Sequence, residues 1–397
     1  MTGVRSIVPA GRPLSASARR RLGRLRPDGP DEMGRELAEG PAAVAATLET
    51  IRSEQPVLGG ILAGAERLVL LGTGASLAMA RAAVPSWRAA EQAAAHRGGA
   101  RARTEVRSRP RDVLVRESTE AVFGGVDGDA FRPGDAVVAI SQSGSSPETL
   151  AAARLAVRSG ASLVGVTAHA GSPLAAAAHR AVTLPIGEEH GAATKSELAT
   201  LGALLALGGG LPTDPPTGAS LGAWLAGIAR SWEAVLTAVA CLAGARRTWI
   251  VGLGATAGLA HAGALLWHEK AHRQAVGSTL SEFRHGLVES VGPRDAVLLL
   301  VPRPCTHDLS GYLDLLAGEV ATLGAALVRV EDDGITLGDA DGEGRDRRAD
   351  AEADANLLGQ TLRLQQLARG TAHAGGTYVD GFRVLRHVVL AAPPRFD

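Results

Sequence analysis

Two stretches of the chain hold residue types and spacings that could do chemistry. Residues 141–149 read Ser-Gln-Ser-Gly-Ser-Ser-Pro-Glu-Thr and follow the apolar run Ala136–Ile140. A strand that ends in such a loop and passes to a helix opened by Pro147 builds an anion site. Backbone N–H groups without intrahelical partners point outward, the helix dipole favours negative charge, and the hydroxyls add donors. The loop has no lysine and no G-x-x-x-x-G-K-[ST] pattern, which excludes a nucleotide P-loop and leaves a small phosphorylated metabolite as the expected ligand. A helix cap needs one hydroxyl, and this loop supplies four. The second stretch is His268-Glu269-Lys270-Ala271-His272, at the end of a helical pattern that starts near Ala262. H-E-x-x-H is the helix motif of zinc metalloproteases, with Glu269 as general base, so a zinc hydrolase is a minor alternative. A third ligand would have to come from Glu282, Glu289 or elsewhere, and no metal site is expected.

The elements that must position these residues alternate. Arg67–Leu71 reads as a buried strand that breaks into Gly72-Thr-Gly-Ala-Ser76, followed by an Ala-rich helix. Strands are expected at 162–167 and 181–184, and helices at 33–51, 147–159 and 194–208. Pro212, Pro215 and Pro216 mark a linker. Thr248–Ala257 then repeats the strand, glycine loop and helix order of 67–76. Strands at 296–302 and 325–330 flank a helix at 308–323, residues 331–355 read as an acidic solvated loop, and a last helix covers 356–369. This alternation predicts an α/β chain of two tandem three-layer α/β/α sandwiches with parallel sheets. The expected division is a flexible arm at 1–32, a first domain at 33–212, a second at 218–370 and a tail at 371–397 contributing to the site. Gly252-Leu-Gly-Ala-Thr-Ala-Gly258 has the look of a dinucleotide turn, but no acidic residue closes a following strand about 20 residues on. No cofactor is expected.

Composition narrows the partners. The 397 residues carry 41 basic and 41 acidic side chains, a formal net charge of zero, which argues against nucleic acid or an anionic membrane as ligand. Lys195 and Lys270 are the two lysines, so lysine chemistry has few places to reside. Cys241 and Cys305 have no metal-ligand spacing, and no apolar leader follows the N-terminal arginines, so a cytoplasmic location is expected.

Gly74-Ala-Ser76, Ser141–Thr149 and Glu282-Phe-Arg-His-Gly286 together resemble the motifs of SIS (sugar isomerase) domain proteins. Residues 33 to about 390 are similar to the isomerase module of glucosamine-6-phosphate synthase and to its relatives, the tagatose-6-phosphate ketose/aldose isomerases and amino-sugar-phosphate deaminases. The resemblance implies two SIS-type domains. It makes Ser76, Ser141, Gln142, Ser143 and Ser146 the phosphate ligands, and places Gly74, Ala192 and Lys195 at the sugar. It further implies that Glu269 transfers the proton between C1 and C2, and that His285 opens the sugar ring from a neighbouring subunit of a homodimer. Glu282 would orient His285 or act as a second acid. The family lysine near the C-terminus has no counterpart here, and His387, beside Arg386, is the positional substitute. A second family lysine is Leu266 here, and no glutaminase domain precedes the module, so synthase activity is not expected. The implied activity is aldose–ketose isomerisation of a hexose or hexosamine phosphate, with or without deamination. A non-catalytic sugar-phosphate sensor is the alternative.

Overall fold

The computed structural model describes residues 4–8, 14–27, 29, 31–101, 110–124, 130–331 and 345–382. Strand β1 (Val4–Val8) and helix α1 (Ala16–Leu22) come first. The first domain runs α2 (Glu32–Gly64), β2 (Arg67–Gly72), α3 (Gly74–Arg101), β3 (Asp112–Glu117), α4 (Ser118–Phe123), β4 (Asp135–Ile140), α5 (Pro147–Arg158), β5 (Ser162–Thr167), α6 (Pro173–Ala177), β6 (Arg180–Thr183) and α7 (Lys195–Leu207). The second runs α8 (Pro215–Arg230), α9 (Glu233–Leu242), β7 (Arg247–Gly252), α10 (Ala255–Leu266), β8 (Gln274–Thr279), α11 (Leu280–Arg284), β9 (Asp295–Leu300), α12 (His307–Thr322), β10 (Ala326–Val330) and α13 (Arg345–Gly375).

Both sheets share one strand order. The first is β3-β2-β4-β5-β6, all parallel, and its central strands β2 and β4 are buried throughout, as sheets covered on both faces require. The second, taken from its far edge, is β8-β7-β9-β10-β1, with β1 pairing antiparallel in the fifth place. In each, the chain steps from the first strand to one side and then crosses to the other. The carboxyl ends of β2 and β4 therefore border a topological switch point, the crevice where open α/β sheets bind ligands.

Side chains repeat the duplication. Asp135 Oδ2 accepts from Arg132 N at 3.0 Å before β4, and Asp295 Oδ2 accepts from Gly292 N at 3.1 Å before β9. Arg67 forks onto its register partner Asp135 at 2.9 and 2.6 Å, pinning β2 to β4 at the end away from the crevice. Gly74 and Gly254 both hold φ +58, the left-handed turn each strand needs to enter its helix.

The two domains join along α3 and α10, where a Cβ on Gly258 would lie 2.7 Å from Ala82 Cα. One apolar core runs through both, with smaller clusters under the outer helices. Helix α8 bridges them as well: a Cβ on Gly222 would meet Ala45 of α2 at 3.5 Å, while Gln366 of α13 donates to the Ile228 and Ala229 carbonyls.

Three expectations change. Where described, residues 1–32 do not form a loose arm: β1 completes the second sheet by pairing the otherwise open edge of β10. Helix α1 is tied to the end of α13, with Arg21 donating to the His373 and Ala374 carbonyls at 2.9 and 2.6 Å. The acidic stretch is helical from residue 345, because Ala351, Ala355, Leu358 and Leu362 recur at helical spacing and are all buried. Helix α2 extends to Gly64, well past Ile51, with Leu58 and Leu62 continuing its buried face.

Candidate active site

The serine loop starts where β4 ends, with Ser141 N donating to Val166 O of β5 at 3.0 Å. Its backbone is held by neighbours. Gln142 O accepts from Ala168 N and Thr167 Oγ1 at 2.9 and 3.1 Å, and Gly144 O accepts from Leu174 N at 2.9 Å. Gly144 holds φ +63, and a Cβ there would collide with Ser172. Ser141 Oγ lies 3.1 Å from Ser146 Oγ. Ser146 occupies the N-cap of α5 without a capping hydrogen bond, followed by Pro147 in the first turn. The hydroxyls are therefore not consumed in capping, and the α5 terminus keeps its donors for an anion. Ser76 stands in the first turn of α3, at the end of the adjacent strand β2. Ser76 and the serine loop thus border the same crevice.

Glu269 lies in a π-helical turn, Trp267–Ala271, that continues α10 and ends on His272 at φ 50. Such turns are frequent at functional sites. Burial raises the Glu269 carboxyl above its ordinary value, and the neighbouring Lys270 charge pulls it back. Three segments close around this turn. Glu36 of α2 accepts from His190 N at 2.5 Å. Glu189 accepts from Thr194 N and Ser196 N at 3.0 and 2.8 Å, capping α7. Asp380, just past α13, accepts from Met33 N at 3.0 Å. Glu197 is pushed up to about 7 by burial, with the charges of Glu269 and Glu189 adding to the rise and a hydrogen bond from Gln365 opposing it.

A cleft of about 310 Å³ opens between α3 and α10, lined by Gly74, Leu77 and Arg81 on one wall and His261, Leu265 and His268 on the other. Gly74 belongs to the loop that carries Ser76, and His268 immediately precedes Glu269. One cavity is thus lined by residues from the start of α3 and from the turn that carries Glu269.

The other residues singled out in the sequence divide. Ala192 is buried, and its carbonyl accepts from Thr194 Oγ1 at 3.1 Å. Lys195 is buried and ion-paired to Glu39 of α2. His285 is exposed at the C-terminal end of α11. Glu282 forms a capping box with Thr279, whose N–H and hydroxyl donors hold its carboxyl below the usual range. That state suits an acceptor better than a second acid. His387 and Arg386 lie outside the described residues. The H-E-x-x-H reading loses its geometry: His272 leaves the helix in the left-handed region, and His268 Nε2 is engaged with Ala275 O at 3.0 Å. Among the described residues no group of three His, Cys, Asp or Glu side chains could hold a metal ion.

Sequence reasoning missed Glu36, Glu189, Glu197, Lys270 and Asp380. Two signals were present: Glu197 interrupts the apolar face of a wholly buried helix, and Lys270 is one of two lysines.

Residues 126–208 match the SIS domain family. A search of curated proteins found no match. Among solved structures, the fold is similar to tagatose-6-phosphate ketose/aldose isomerase from Escherichia coli (TM-score 0.69, 19% identity, covering 91% of this chain and 98% of that one). It is also similar to glucosamine-6-phosphate deaminase from Thermotoga maritima (0.66, 15%, 89% and 98%). The C-terminal domain of glucosamine-fructose-6-phosphate aminotransferase from Francisella tularensis matches comparably (0.65, 19%, 89% and 98%). At these identities the likeness establishes the fold, which here is two tandem parallel α/β/α sandwiches, and no single described helix is long and apolar enough to cross a membrane. The family match thus covers residues 126–208, within a fold that most of the chain shares with these three structures.

Proposed function

We propose that this chain is an aldose–ketose isomerase of a hexose or hexosamine phosphate, with loss of ammonia as the added outcome where C2 carries an amine. The observation that carries the reading is a cleft lined both by Gly74, two residues before Ser76, and by His268, the residue before Glu269. Phosphate is held by the hydroxyls of Ser76, Ser141, Ser143 and Ser146 with Gln142 and the first N–H groups of α5. Hydrogen bonds to a charged group contribute about 1.5–3 kcal/mol each, so three or four hold a phosphate without a cation. Glu269, as carboxylate, takes the proton from C2 of the open aldose. The electrons left behind form the C1–C2 double bond and push the carbonyl pair onto O1, which takes a proton from solvent to give the enediol. The carboxylic acid then returns its proton to C1 as the O2 hydroxyl gives its own up to solvent, leaving the ketone at C2. A carboxyl raised by burial lies nearer the operating pH, where such transfer is most effective. Ring opening we assign to His285, whose exposure fits donation to the site of a second copy.

The test is isotopic exchange. The protein is incubated with hexose and hexosamine 6-phosphates in D₂O, and label at C1 or C2 is read by NMR. Exchange into at least one sugar supports the reading. Saturable binding with no exchange for every sugar overturns it in favour of a sensor.

A further inference from the structure

Lys270 is 1% exposed, and an ammonium at such depth is costly unless opposite charge surrounds it. Its Nζ lies 3.4 Å from His190 O. A Cβ on Gly191 would sit 3.4 Å from the same Nζ and 3.2 Å from Asp380 O, so three segments pass each other here at van der Waals distance. Gly191 holds φ +73. The charged groups that face this point are Glu36 from α2, Glu189 and His190 from the connection before α7, Glu269 from its own turn, and Asp380 from beyond α13. Gln365 is the polar group that α13 contributes, and it is neutral.

We propose that Lys270 is the positioning residue of this site: buried where α2, the 189–191 turn and Asp380 meet the Glu269 turn, its ammonium balances the surrounding carboxylates and holds Glu269 ionised, ready to accept a proton. Without it, Glu269 stands in a buried group of like charges, and such groups share protons rather than all ionising. A protonated Glu269 is far too weak a base to take the sugar's C–H proton. Burial favours the neutral lysine, while Glu36, Glu189, Asp380 and Glu269 favour the ammonium, so each charge depends on the others. The inference rests on Glu269 as proton carrier, and its first test needs no substrate.

Coupling between two ionisable groups is reciprocal. Lysine labelled with ¹³C at Cε gives two side-chain signals in this chain, and Lys195→Arg assigns them. In folded Glu269→Gln the Lys270 midpoint should fall by about half a pH unit or more, because one carboxylate charge is gone. An unmoved Lys270 midpoint overturns the proposal, whether or not Lys270→Met folds. With an exchange-active sugar, Lys270→Met should move the acid limb of the rate profile upward by a comparable amount, and Lys270→Arg should restore it. A lower rate on an unshifted profile shows a merely structural lysine and overturns the proposal. Absence of exchange with every sugar instead removes the isomerase reading, and leaves the lysine titration to decide the coupling by itself.

Discussion

Gln365 Nε2 donates to Glu197 Oε2 at 2.9 Å, joining α13 to α7 in the interior where the two domains meet. That bond opposes, without cancelling, the burial that lifts the Glu197 carboxyl to about 7. A carboxyl whose folded value exceeds its unfolded one binds protons more readily in the native state. The stability it gives is complete below the unfolded value of 4.5 and is lost as pH rises toward about 7. The protein should therefore lose stability between those limits by an amount on the order of 3 kcal/mol. Glu197→Gln should flatten that slope and raise Tm at pH 8. Thermal unfolding at pH 4.5, 6 and 8 checks it, and an unchanged slope in the variant counts against the burial argument.

Ser141→Ala combined with Ser143→Ala should weaken binding of phosphate esters by about 3 kcal/mol or more, roughly 100-fold in Kd, because two hydrogen bonds to a charged group disappear. The loop backbone keeps its bonds to Ala168, Leu174 and Thr167 but loses the Ser141 and Ser143 hydroxyls as acceptors for the Gly144 and Ser145 amides, so circular dichroism and Tm of the double variant are measured alongside. Titration with inorganic phosphate and a sugar phosphate reads the loss. Affinity intact in the double variant would remove this loop as the anion site.

Glu269→Gln keeps the shape of the side chain and removes its ability to carry a proton. Exchange should fall by about 10²–10⁴-fold, the usual contribution of a positioned acid–base group. Phosphate-ester affinity should hold within a few-fold, since no phosphate ligand changes. Parallel measurement of exchange rate and Kd separates the two roles.

The strand-to-helix serine loop, both glycine turns and most strands were legible because their signals are local: apolar runs of strand length, a left-handed glycine, hydroxyls ahead of a proline. Residues 162–167 are a case in point, since an apolar run ending in a turn needs no distant partner to declare itself. The carboxylates around Lys270 were not legible. Glu36, Glu189 and Asp380 come from three separate segments that only the tertiary fold brings together, and each taken singly reads as an ordinary surface charge. His268 and His272 misled for a different reason. Their spacing assumes 3.6 residues per turn, and the π turn breaks that period at the point where it mattered. Strand β1 was hidden because its pairing partner, β10, lies at the other end of the chain.

Arg369 is fully buried, forks onto Asp31 at 2.8 and 2.7 Å, and stacks over Trp232 at 5.2 Å from the ring centroid. It also donates to the Arg26 and Pro27 carbonyls at 2.7 and 3.0 Å, so one side chain ties the segment before α2 to α13 and α9. Arg369→Met removes the charge but leaves the Asp31 carboxyl buried, with His373 and the Gly34 amide as its remaining partners. Breaking a buried pair on one side typically costs about 3–5 kcal/mol. The expected result is a clear drop in Tm together with faster proteolysis ahead of α2, since that segment loses its anchor. Asp31→Asn with Arg369→Met should recover part of the loss, because the orphaned carboxylate is then gone. If the double variant is no more stable than Arg369→Met alone, the cost lies in lost packing against Trp232 rather than in the uncompensated charge.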